Sequence, residues 1–162
     1  MAENHQVQLS PLQMKHLIFT KIVVELADSL EKTNELWAPS FDMGGVIVLT
    51  EISTAMPDDQ VNDPINFMVT MRLAILNEAE GSKKAPYKID IAAQAWFDIS
   101  TGIEVAKRED LVRINGASLM MGAIRELIIQ LTSRSGFGAL TLPTLRFLPP
   151  AHESALTDNP PR

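Results

Sequence analysis

Two stretches of this chain alternate apolar and polar residues for so long that an antiparallel sheet is the natural way to accommodate both. In Ile65 to Leu76, the residues Ile65, Phe67, Val69, Met71, Leu73 and Ile75 alternate with Asn66, Thr70 and Arg72. In Tyr87 to Ile99, the residues Tyr87, Ile89, Ile91, Ala93, Ala95, Phe97 and Ile99 alternate with Lys88, Asp90, Gln94 and Asp98. Between them, Asn77 to Pro86 holds Gly81, Ser82 and two lysines, the composition of a hairpin loop, so the two strands pair antiparallel. Each strand then has one apolar face that something else must cover.

The cover comes from Ser118 to Phe147. Met120, Ile124, Leu127, Ile128 and Leu131 fall at helical spacing, with Arg125, Glu126, Gln130 and Arg134 mostly off that stripe. Ser118 suits an N-cap, Arg134 complements the C-terminal carbonyls, and Gly136 suits the left-handed residue that ends a helix. Upstream, Ser100 to Asp110 reads as a polar connection and Leu111 to Asn115 as a short helical piece broken at Asn115 and Gly116. Beyond the helix, Phe137, Leu140, Leu142, Leu145 and Phe147 add more apolar surface than one amphipathic helix can bury. This tail must lie on a sheet, a partner or a client.

Gln13 to Leu26 is rich in Ile, Val, Phe and Thr and reads as a strand, its imperfect alternation pointing to a bulge near Leu17 to Phe19. Ala27 to Asp42 is a loop that carries Leu30, Leu36, Trp37 and Phe41, with Pro39 preventing a continuous ladder. Gly44 and Gly45 open a short strand over Val46 to Ile52. Strands first and helix last is the α+β order: a four-stranded antiparallel sheet with a long C-terminal helix packed on one face. Trp96 sits out of phase with the core set of its strand, which leaves two readings, a second buried surface for self-association or an indole lying across its own neighbours. The boundaries expected are a disordered tail over residues 1–11, one domain over 12–148, and a proline-rich disordered tail over 149–162.

A net charge of −6 argues against a partner recognised through its phosphate backbone, so no direct nucleic-acid contact is expected. With no cysteine there are no disulfides and no thiolate chemistry, which fits the cytoplasm. No stretch approaches the roughly 18 apolar residues of a membrane span, and the N-terminus lacks the pattern of an export signal. Catalysis has little to stand on. His5 and His152 lie in the tails and His16 in a strand, so no spacing suggests a metal site or a nucleophile with its base. Asp58 and Asp59 read as solvated loop, and Gly44 and Gly45 lack the context of a phosphate cradle. Asp90 and Asp98 stand about 27 Å apart at strand rise, too far to share a proton transfer. No catalytic residue, metal or cofactor is expected.

Trp37-Ala38-Pro39, the strand Tyr87 to Ile99, Ile124-Arg125-Glu126, and Ser133-Arg134 followed by Phe137, Leu140, Leu142 and Phe147 together resemble the SecB family of export chaperones, over roughly Leu12 to Phe147. The resemblance implies a dimer of dimers that captures unfolded chains in apolar grooves without ATP. Its client would be held by side-chain burial and by main-chain hydrogen bonds along a sheet edge. The groove residues it implies are Leu30, Leu36, Trp37 and Phe41 in the loop, with Ile128, Leu131, Phe137, Leu140 and Leu142 beside them. Trp96, Met120, Ile124 and Leu127 would serve the oligomer interface. Export members recruit the motor SecA through acidic residues on the first and last strands. Here the first-strand positions fall near Ile22 and Leu26, both apolar, and only Asp90 matches, although Glu25 could substitute if the register shifts by one. Gly122 and Gly138 also stand where export members carry proline. The helix sequence is instead similar to the SecB-like chaperones of toxin–antitoxin–chaperone modules. The leading expectation is therefore a holdase for an antitoxin with weak SecA contact. A general export chaperone, a non-catalytic adaptor subunit, and a small-ligand carrier or enzyme with the sheet and helix enclosing a pocket are the alternatives.

Overall fold

A computed structural model describes residues 7–27 and 37–148. Its strands are β1 (Leu12–Leu26), β2 (Leu49–Ala55), β3 (Asn66–Ile75) and β4 (Tyr87–Ile99), arranged in the order β1-β4-β3-β2 with every neighbouring pair antiparallel. Phe67 stands opposite Phe97, Val69 opposite Ala95 and Leu73 opposite Ile91, so the two alternating runs pool their apolar sides on one face. One helix, α1 (Val105–Thr132), lies over that face. Met120, Ile124 and Ile128 of α1 are fully buried with Phe67, Val69, Met71 and Ile91 beneath them.

The helix starts earlier than its sequence suggests and runs unbroken for 28 residues. Gly116 is a contact point and not a break: a Cβ there would lie 3.2 Å from two ring carbons of Phe97. The missing side chain lets the helix settle onto the sheet. Ser118 is no cap either, since it lies mid-helix and donates to the Ile114 carbonyl at 2.9 Å. The N-terminus is instead fixed by Arg108, which is 3% exposed. Its guanidinium donates to the carbonyls of Ile103, Pro64 and Thr101 at 2.8, 3.0 and 3.2 Å, and to Asp63 Oδ1 at 2.6 Å.

At the other end, the buried Thr132 hydroxyl donates to the Ile128 carbonyl at 2.6 Å and accepts the Leu140 N–H at 2.9 Å, turning the chain back over the sheet. The left-handed residue there is Gly138, with φ of 81°, and not Gly136. The apolar tail that follows buries Phe137, Leu140 and Leu142 in the core.

Two further boundaries differ from the sequence reading. β2 begins three residues late because Gly45, at φ of 84°, and a Val46 N–H to Met43 carbonyl bond of 3.1 Å spend those residues on a turn. In β1 the register with β4 shifts twice, between Met14 and His16 and between Phe19 and Lys21, and not over Leu17 to Phe19. Lys15 and Thr20 are thus the extra residues. With both set aside, Leu12, Met14, Leu17, Phe19, Ile22, Val24 and Leu26 all share the helix-side face.

Candidate functional site

The helix-side face is unevenly covered. Along β1, Met14, Ile22 and Leu26 remain 41%, 48% and 41% exposed although they point toward the helix layer. At the Leu26 end the apolar surface continues onto other elements. Leu26 pairs with Tyr87, and the next residue, Ala27, donates to the Pro86 carbonyl at 3.0 Å. The Tyr87 hydroxyl donates to the Gly138 carbonyl at 2.6 Å, and the Tyr87 ring meets Phe137 edge-on at 5.9 Å.

Gly138 in turn supports Trp37. A Cβ at Gly138 would lie 3.1 Å from Trp37 Cη2 and 3.2 Å from Pro39 Cδ, so the indole rests directly on bare backbone. The turn that carries Trp37 is tied down by the Ala38 N–H, which donates to the Phe137 carbonyl at 2.8 Å. Trp37 nevertheless stays 51% exposed, and Leu131, in the last turn of α1, 43%. A large indole held in place with half its surface in water is a fixed apolar platform. Phe41, half-buried, lies under the Lys83 ammonium at 4.7 Å from its ring centre.

The expected groove residues therefore divide. Trp37 and Leu131 are exposed and Phe41 is half-buried, whereas Ile128, Phe137, Leu140 and Leu142 are covered by the chain's own core and offer no open surface; Leu127, expected at the oligomer interface, is half-buried. Met120 and Ile124, expected at the same interface, are fully buried against the sheet. Leu30 and Leu36 lie outside the described residues. Sequence reasoning missed Ile22 and Leu26 as surface residues of this site, because their face depends on where the bulges fall.

The opposite face of the sheet is charged and internally paired. Asp90 is 8% exposed, and its two oxygens accept from Arg72 Nε and Nη2 at 2.9 and 3.0 Å and from Lys21 Nζ at 2.5 Å. Arg72 also reaches Glu51 at 3.2 Å, so one network crosses all four strands. The Arg72 hydrogen bonds, with help from Lys21, hold the Asp90 carboxyl down to about 2. Trp96 lies on this face, 37% exposed, with its ring centre 5.6 Å from that of His16.

No protein-family model matches the chain, and no curated protein matches it. Among solved structures, the Rv1957 SecB-like chaperone of Mycobacterium tuberculosis, in complex with a ChAD peptide from the Rv1956 HigA1 antitoxin, is 19% identical with a TM-score of 0.52 over 83% of this chain and 90% of that one. This chain has the SecB-like fold. A protein of unknown function from Streptococcus agalactiae is 10% identical with a TM-score of 0.47, over 82% of this chain and 96% of that one.

Asp90 and the first-strand positions expected beside it lie on opposite faces of the sheet. Ile22 and Leu26 point the other way, and the β1 residues beside Asp90 are Lys21, Val23 and Glu25. Glu25 is thus the first-strand acid on that face, paired across from Lys88. Among the described residues no helix is long and apolar enough to cross a membrane.

Proposed function

We propose that this chain is an ATP-independent holding chaperone that keeps an aggregation-prone polypeptide segment from associating, and that its client is the apolar extension of an antitoxin. The observation that carries this reading is the Trp37 platform, fixed on Gly138, with Leu26 exposed beside Gly136 and Leu131 exposed in the last turn of α1. An apolar surface that the fold holds rigid while leaving it wet costs little ordering entropy when a client covers it. A SecB-like chaperone solved with an antitoxin peptide supports the choice of client. On this reading the protein works as a cytoplasmic homo-oligomer, a dimer of dimers, and has no catalytic step.

General export duty is the lesser function. Lys15, Lys21, Arg72 and Lys88 face Glu25, Glu51, Asp90 and Asp98 on the outer side of the sheet, four charges of each sign. Such a face has little net attraction for a basic tail, and SecA contact is correspondingly weak.

The test is suppression of antitoxin aggregation by light scattering without nucleotide. Trp37→Ser combined with Leu131→Ser is expected to abolish suppression while circular dichroism and oligomer mass stay unchanged. Full suppression by the double variant would overturn the assignment of the site, and a requirement for ATP would overturn the mechanism. Leu142 is unsuitable for this experiment because it is 1% exposed and its replacement would strike the core.

A further inference from the structure

The charged face of the sheet also holds a concavity that the platform does not use. A pocket of about 510 Å³ opens between Met68, Trp96 and the turn at Met56 and Pro57, where the chain leaves β2. That volume falls within the range of ordinary ligand sites, about 300–1,000 Å³. Its walls are a polarisable indole and two thioethers, which adapt to apolar groups of different shapes. Its polar end is the Lys15–Asp98 pair, 3.2 Å apart, with the other Asp98 oxygen accepting from the Asn66 amide at 2.9 Å.

This pair selects a class of ligand. Its charges cancel, so neither an anion nor a cation gains from the field. Both side chains are still open to solvent, at 58% and 45%. A carboxylate has more acceptor positions than these two contacts use, and an ammonium has three donors. A carboxylate that can accept from an N–H therefore stands beside an ammonium that can donate to a carbonyl, the pattern that a peptide group matches with its own N–H and C=O. We propose that this pocket is a second polypeptide subsite, taking one large apolar side chain together with the peptide group next to it. The proposal deepens the polypeptide-binding function and rests on it: a client chain would be gripped on both faces of the sheet.

The probe is N-acetyl-leucine N-methylamide, followed by NMR of the methionine methyls and the indole N–H groups. Expected are saturable shifts at Met56, Met68 and Trp96, unchanged in Trp37→Ser. Ala55→Phe, which fills the pocket from an exposed strand position, should remove them in a protein whose spectrum remains folded. Asp98→Asn should weaken binding about tenfold, the loss of one charge-assisted hydrogen bond. Toluene binding as tightly as the amide would reduce the site to a plain apolar cavity and overturn the proposal. So would the same shifts appearing on concentrating the protein without probe, which would place a second copy there. Loss of aggregation suppression with probe binding intact would count against the holding function alone. Absence of probe binding with suppression intact would remove only this subsite.

Discussion

Replacing Asp90 by asparagine keeps the shape of the side chain and removes the charge at the centre of the cross-strand network. The carboxyl is lowered from 3.8 to about 2 in the fold. At about 1.4 kcal/mol per unit this corresponds to about 2 kcal/mol of stability carried by the ionised form. Arg72 and Lys21 are 36% and 49% exposed, so solvent screening brings the expected loss to between about 1 and 2 kcal/mol. Because the folded value lies below the unfolded one, this stabilisation is complete above about pH 4 and disappears as pH falls toward 2. Urea unfolding of wild type and Asp90→Asn, at one protein concentration to hold assembly constant, should show a gap at pH 7 that closes between pH 4 and 2. Other carboxylates titrate in both proteins and cancel in the difference. A gap that persists unchanged at pH 2, or none at pH 7, would refute the network's role.

Gly138→Ala places a side chain at φ of 81° and 3.1 Å from the Trp37 ring; a cost of about 1–2 kcal/mol is expected. In a Trp96→Phe background the emission of Trp37 should shift to the red, and an unshifted spectrum would show that the indole does not depend on this contact. Arg108→Ala leaves the carbonyls of Pro64, Thr101 and Ile103 without their shared donor. It should cost about 3 kcal/mol in urea unfolding and speed hydrogen exchange in the first turns of α1, whereas a loss under about 1 kcal/mol would mean water substitutes freely.

Period and turn chemistry made the sheet readable. β4 spans Tyr87–Ile99 as the alternation indicates, and β3 differs from its expected bounds by one residue at each end. The helix was harder because Gly116 carries two meanings in sequence, a breaker or a place of close approach, and only the position of Phe97 separates them. Arg108 and Thr132 do more for the helix ends than any capping residue, but their partners lie on other elements and leave no local pattern. The exposed apolar surface was the least legible part. Ile128, Leu140 and Leu142 are as apolar as Trp37 and Leu131, and composition cannot distinguish a residue that the fold covers from one that it leaves open.

The two bulges of β1 bear on how this molecule avoids its own kind of failure. β1 has 15 residues and β4 has 13, and Lys15 and Thr20 are the whole difference, so removing both would leave a regular strand matched one-to-one with its neighbour. Such a strand would be straighter, with an evenly spaced row of N–H and C=O groups on its outer side and Met14, Ile22 and Leu26 still exposed. That is a template for unlimited sheet growth. Each bulge interrupts the row and increases the local twist, and the first also places a lysine there. A sheet with this much exposed apolar surface thus carries, in two surplus residues, a guard against becoming a nucleus for fibres.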